Sequence, residues 1–149
     1  MDNALYERAV AYILMMPKTE RQVRLWLRRK KVDETTADEI IERLRDNNFI
    51  DDENYARLFV EAKRNKMGAG VIKNKLRTGG VKYDIITAAV ADVGDQHELA
   101  LATAEKYLRG KPHTPEIKSK LFRYLLAKGF EFEEVEEVSN ECWNRHSGG

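Results

Sequence analysis

Ile72-Lys-Asn-Lys-Leu-Arg-Thr-Gly-Gly-Val-Lys-Tyr-Asp-Ile-Ile86 has an apolar outline that occurs three times in this chain. Leu76 lies 49 residues after Leu27 and 49 before Leu125. The same spacing joins Val81 to Val32 and Phe130, Ile72 to Val23 and Leu121, Ala89 to Ile40 and Val138, and Phe59 to Val10 and Leu108. A fixed period of this length marks units that stack because none buries its apolar face alone. The expected fold is therefore all-α: three tandem three-helix repeats of about 49 residues in an elongated, curved array.

Working outward, residues 4–50 form the first expected repeat. Tyr6, Ala9, Val10 and Ile13 have the spacing of an apolar helical stripe that Pro17 stops. Thr19-Glu-Arg-Gln22 has capping-box form and opens a second helix with Val23, Trp26 and Leu27 inward, ending near Lys31. Asp33 to Thr36 offers caps for a third, with Ile40, Ile41 and Leu44 inward and Asp38, Glu39, Arg43 and Arg45 in water.

Residues 51–93 repeat the plan. Adjacent Asp51 and Asp52 cap a helix and oppose its dipole, with Tyr55, Leu58, Phe59 and Ala62 at helical spacing behind them. Met67-Gly-Ala-Gly70 breaks that helix, Val71–Thr78 is the next, Gly79-Gly80 ends it, and Tyr83–Val93 is the third. Gly68 and Gly70 lack the Gly-Lys-Ser/Thr ending of a phosphate loop and precede no strand pattern.

Residues 94–144 open at Gly94-Asp95 with Glu98, and Ala104, Tyr107 and Leu108 face inward to about Arg109. Thr114-Pro115 pairs a cap with a first-turn proline, and Leu121, Tyr124 and Leu125 follow until Gly129. Glu131–Trp143 is the last helix, and residues 145–149 are expected to be a disordered tail.

With 34% charged and 42% hydrophobic residues, the chain has the balance of a folded, soluble protein. The longest apolar run, Ala9 to Met16, is too short to span a bilayer, and Asp2 and Glu7 spoil it as a secretory signal. A cytoplasmic location and no membrane partner are expected. The single Cys142 excludes an internal disulfide and a cysteine zinc cage, and it suits a core position. His97, His113 and His146 show no ligand spacing to one another or to Cys142. No Ser/His/Asp or Cys/His arrangement stands in a signature context, so neither enzyme chemistry, a cofactor nor a metal is expected.

The net charge of +1 conceals sorting by segment. Lys18 to Lys31 holds seven bases against Glu20, Lys63 to Lys82 seven against no acid, and Lys106 to Lys128 seven against Glu116. Asp84 to Glu105 has five acids and no Lys or Arg, and Glu131 to Glu141 six. Arg21, Arg24, Arg28 and Lys31 run along one side of the second helix for roughly 15 Å. The period carries Arg24 and Arg28 onto Lys73 and Arg77, beside Lys75. The third copy has Phe122 and Leu126 there, with its bases at Lys118, Lys120 and Arg123 instead. These ten cations are the candidate partner- or DNA-binding residues; the rival reading is a solvated face balanced by the acidic third helices. Tyr6, Trp26, Tyr55, Phe59, Tyr124 and Phe130 recur on apolar faces and suit a core better than a base-stacking platform.

Here the chain resembles the RecX family of recombination regulators. Phe49-Ile-Asp-Asp-Glu-Asn-Tyr-Ala-Arg-Leu-Phe-Val60 is similar to that family's Leu-Asp-Asp-x-x-Phe/Tyr-Ala-x-x-Phe-Val signature. Gly70, Ile72, Leu76 and Gly80-Val81 resemble its middle pattern, and Lys120-Leu-Phe-Arg-Tyr-Leu-Leu-Ala-Lys-Gly-Phe130 its C-terminal one. The likeness runs from about Ala4 to Trp143. It implies tandem three-helix repeats and a non-enzymatic monomer that binds the RecA–DNA filament, including its single-stranded DNA, and inhibits it in homologous recombination, DNA repair and the SOS response. Two features depart from the pattern: Met15-Met-Pro-Lys-Thr19 replaces a basic Arg-Ser-rich run, and Lys31 stands where the other repeats have Gly80 and Gly129. A free-standing DNA-binding helical module and a protein–protein scaffold are the competing readings.

Overall fold

A computed structural model of the chain describes residues 3–146. The described residues form nine α-helices and no strand: α1 (Asn3–Met15), α2 (Glu20–Arg29), α3 (Glu34–Asp46), α4 (Asp52–Lys63), α5 (Ala69–Thr78), α6 (Tyr83–Val90), α7 (His97–Leu108), α8 (Pro115–Ala127) and α9 (Phe132–His146). A short 3-10 turn, Ala91–Val93, follows α6 and takes the last residues expected to be helical there. Helix α9 continues through Arg145 and His146, so the expected tail is helical in its first two residues; residues 147–149 lie outside the described ones.

The helix starts follow from short-range hydrogen bonding. The Thr19 hydroxyl accepts the Gln22 N–H at 3.2 Å while the Gln22 side chain accepts the Thr19 N–H at 2.9 Å, a reciprocal capping box. Asp33 accepts from Thr36 N–H, Asp51 from Asn54 N–H and Thr114 from Ile117 N–H, which opens α3, α4 and α8. The stops use positive φ, at Gly80 (90°) and Gly129 (93°), and at Lys31 (62°) in the matching place of the first repeat. Lys31 bears a side chain where the left-handed backbone costs an L-residue roughly 1–2 kcal/mol.

Two compact units divide the chain: Met1–Leu58 with Leu76–Ala89, and Phe59–Lys75 with Val90–Gly149. The division runs through α4 and α5 and before the last residue of α6. In the first unit Leu5, Tyr6, Ala9 and Ile13 of α1, Val23 and Leu27 of α2, and Ala37, Ile40, Ile41 and Leu44 of α3 form the core with Ile50. Val10 and Trp26 are only partly buried against it. In the second unit Ala100, Ala104 and Leu108 of α7, Leu121 and Leu125 of α8, and Val135, Val138, Cys142 and Trp143 of α9 enclose Phe130. Burial pushes the Cys142 thiol up to about 11, and the carboxylates of Glu105 and Glu141 push in the same direction.

Helix α4 corrects the expected stripe. Ala56 and Val60 are its buried residues; Tyr55 and Phe59 are half-buried, Leu58 is 44% exposed and Ala62 is exposed. In the second unit the start of α5 approaches the end of α8 backbone to backbone: Gly68 N–H donates to Lys128 C=O at 3.1 Å and Gly70 N–H to Gly129 C=O at 2.7 Å. A Cβ on Gly68 would lie 2.4 Å from the Gly129 carbonyl carbon, so Gly68 is required by contact and not by phosphate chemistry.

Candidate functional site

The basic series is built by α2, α5 and α8, whose caps and apolar faces fix which side is left to solvent. On α2 the Arg24 guanidinium lies 2.7 Å from Asp38 Oδ1 and 3.4 Å from Glu34 Oε2. Arg28 Nε donates to Glu34 Oε1 at 2.9 Å. That hydrogen bond raises the Arg28 pKa above its ordinary value and holds the Glu34 carboxyl below its own. The stem of Arg21 lies over Gly80: a Cβ there would fall 2.2 Å from Arg21 Cδ. Arg24 and Arg28 therefore have acid partners, supplied by α3 across the interhelix space and not by their own helix, whereas Arg21 and Lys31 make no ion pair among the described residues. Arg45 of α3 pairs with Glu20, and Arg43 lies 3.9 Å from the Tyr6 ring centroid, so both have partners within the first unit and are not left to water alone.

The other cations differ. Lys73, Lys75, Lys120 and Arg123 are exposed, and Lys118 is half-buried. None of the five makes an ion pair among the described residues. All five belong to the second unit. Arg77, in the first unit, is exposed but not without partners, and Lys31 is exposed at its positive-φ helix end. Phe122, at the stripe position of the third copy, packs edge-on against Phe132, with centroids 5.4 Å apart.

The aromatics stabilise cations within each unit. Lys30 lies over Trp26 at 5.6 Å, and two periods later Lys128 lies over Tyr124 at 5.2 Å. Tyr12 stacks on Trp26 at 5.0 Å and Tyr107 on Tyr124 at 4.6 Å.

Two features escaped the sequence reading. Asp52 accepts the backbone N–H of Glu20 at 3.0 Å, so it caps α2 across 32 residues while Asp51 alone caps α4. Burial raises the Asp52 pKa against the lowering effect of that bond. His97 meets glutamates of α9, which no spacing among histidines and Cys142 could reveal. None of the helices among the described residues is long and apolar enough to cross a membrane.

This arrangement matches a known family in all three parts. The family model described as the RecX first three-helix domain matches residues 6–44, the second three-helix domain residues 51–90, and the third residues 94–138. The chain belongs to the RecX family. It is 31% identical to a regulatory protein RecX of Clostridium acetobutylicum over 98% of this chain and 73% of that one. To a regulatory protein RecX of Clostridium botulinum it is 34% identical, over 93% of this chain and 68% of the relative. The crystal structure of RecX from Lactobacillus salivarius is similar with a TM-score of 0.84 at 29% identity, covering 92% of this chain and 93% of the other. The Asp51-Asp52 pair of the RecX signature thus has distinct tasks here, one cap within a helix and one between helices.

Proposed function

We propose that this RecX-family chain is a non-enzymatic regulator of RecA that lies in the groove of the RecA–DNA filament and inhibits ATP hydrolysis and strand exchange. Family membership supports regulation, and the second unit's five candidate cations, none with an ion pair among the described residues, support a polyanionic or acidic surface as the thing bound. Lys73, Lys75, Lys118, Lys120 and Arg123 would give up no intramolecular ion pair on binding. Arg24 and Arg28 would give up theirs to Glu34 and Asp38. We therefore place the dominant contacts on the second unit's cations. Arg21, Arg24, Arg28, Lys31 and Arg77 are secondary contacts. The protein acts as a monomer in the cytoplasm, in recombination, repair and the SOS response.

The test is the DNA-dependent ATPase rate of RecA with and without this protein, run at rising salt. Inhibition at saturating protein is expected; an unchanged rate refutes the reading. Binding to single-stranded DNA without RecA would fall with salt by a slope of about 0.7 per phosphate neutralised. A free-standing DNA-binding module would bind DNA as tightly alone as in the filament.

A further inference from the structure

Glu134, Glu137 and Glu141 are spaced i, i+3 and i+7 on α9, which sets three carboxylates on one helical face. His97, the first residue of α7, reaches that face. Its Nε2 lies 3.2 Å from Glu141 Oε2, and its Nδ1 lies 3.8 Å from Glu134 Oε2. A ring nitrogen of His97 and one oxygen each of Glu134 and Glu137 lie within 4.8 Å of one another. Glu141 also accepts from Arg145 at 2.8 Å, whereas no Lys or Arg pairs with Glu134 or Glu137 among the described residues. Both line an open cleft of about 400 Å³ with Asp95, Glu131 and Glu133.

From this cluster we propose a binding site for one divalent first-row transition ion, of the zinc or manganese class, held by His97 Nδ1, Glu134 and Glu137. Glu141 Oε2, 3.2 Å from His97 Nε2, would hold the tautomer protonated at Nε2 and leave the Nδ1 lone pair for the ion. A carboxylate behind a ligating imidazole is the usual means of orienting it. Without a cation that lone pair would face the Glu134 oxygen, and two uncompensated carboxylates would stand beside it. The partial positive charge at the N-terminus of α7 opposes an ion there, but it amounts to about half an elementary charge. Two ligand carboxylates exceed it. Ligand atoms on a tetrahedral ion with bonds of 2.0–2.2 Å are about 3.4 Å apart, so the group closes by up to about 1.4 Å through glutamate side-chain rotation. The imidazole selects against magnesium and calcium, which take oxygen ligands. Glu134 and Glu137 line the cleft, which gives the ion access from solvent on the glutamate side.

The rival explanation is a protonated His97 bridging Glu134 and Glu141, and Glu137 separates the two because that bridge does not use it. The experiment is calorimetric titration of the chelator-stripped full chain with ZnCl2 and with MnCl2, with Co2+ absorption bands reporting ligand geometry. One ion per chain is expected, unaffected by millimolar Mg2+. Glu137→Gln and His97→Ala should each weaken binding at least about tenfold, and Glu141→Gln within the range of about 10–100-fold. Glu137 is exposed, so its variant tests the site even if His97→Ala fails to fold. The proposal is overturned if no binding is seen up to about 1 mM metal, or if Glu137→Gln binds as the parent does. Binding retained by a folded His97→Ala would be an adventitious ion only and would equally overturn it.

Discussion

Replacing Gly129 by alanine tests the backbone approach in the second unit. Gly129 has φ 93°, and a Cβ there would lie 2.4 Å from the Val71 backbone nitrogen and 2.9 Å from Val71 Cγ2. A backbone atom cannot yield by changing rotamer, so the start of α5 must move away from the end of α8. That movement breaks the bonds from Gly68 N–H to Lys128 C=O and from Gly70 N–H to Gly129 C=O. The left-handed backbone costs roughly 1–2 kcal/mol, and two lost bonds cost about 1 kcal/mol net each, giving a loss of about 3–4 kcal/mol. Gly110 is the matched control, because it has φ 77° with nothing within 4 Å of its would-be Cβ. Gly110→Ala should lose only the conformational part, about 1–2 kcal/mol. Urea unfolding followed by far-ultraviolet circular dichroism measures both. With a slope of about 1–3 kcal/mol per molar urea, Gly129→Ala should lower the midpoint by at least about 1 M. Equal losses in the two variants would show that the close approach contributes nothing.

Lys31→Gly should stabilise the chain by about 1 kcal/mol, because φ 62° then carries no side chain; an unchanged or lower melting temperature would contradict this. Thr19→Val removes the cap on α2 and leaves the Gly79 carbonyl, bonded at 2.6 Å, without its donor, so thermal unfolding should show a loss of about 2–3 kcal/mol. Burial raises the Asp52 pKa, so the folded chain holds that proton to higher pH than the unfolded chain does; this contribution to stability is greatest in acid and is lost as pH rises through the folded value. Asp52→Asn, which keeps an acceptor for Glu20 N–H, should therefore gain on the parent in urea midpoints as pH climbs from about 4 to 7, and a constant difference across that range would rule the explanation out. Lys73→Glu with Lys75→Glu should weaken filament binding more than Arg24→Glu with Arg28→Glu, whose parent cations are already paired; the reverse order in a competition assay would place the dominant contacts on α2 instead.

The helices and the family were written locally. Capping at Thr19, Asp33 and Thr114, the stops at Gly80 and Gly129, and the triplet Leu27, Leu76 and Leu125 depend on bonds or spacings within a turn or two, or on a period that recurs along the chain. Composition and spacing were enough to find them. Helix α4 shows where hydrophobicity stops being a guide. Leu58 and Phe59 are the more apolar, yet Ala56 is the residue with no exposed surface, so burial follows position in the packing and not hydrophobicity alone.

Charge was legible as a pattern but not as a set of partners. The sequence separates basic second helices from acidic third helices, and only the folded chain sets Glu34 and Asp38 against Arg24 and Arg28 while leaving Lys73 and Lys75 unpaired. Asp51 and Asp52 look alike in the chain, yet one caps its own helix and the other a helix 32 residues upstream. His97 and Glu134 are 37 positions apart by number and 3.8 Å apart in the fold. Periodicity and capping are fixed by neighbours along the chain, so the sequence alone determined the helices, most of their ends and the repeat. Ion pairs and ligand clusters depend on distances of a few ångströms between segments remote in sequence, and packing of the helices was what decided them.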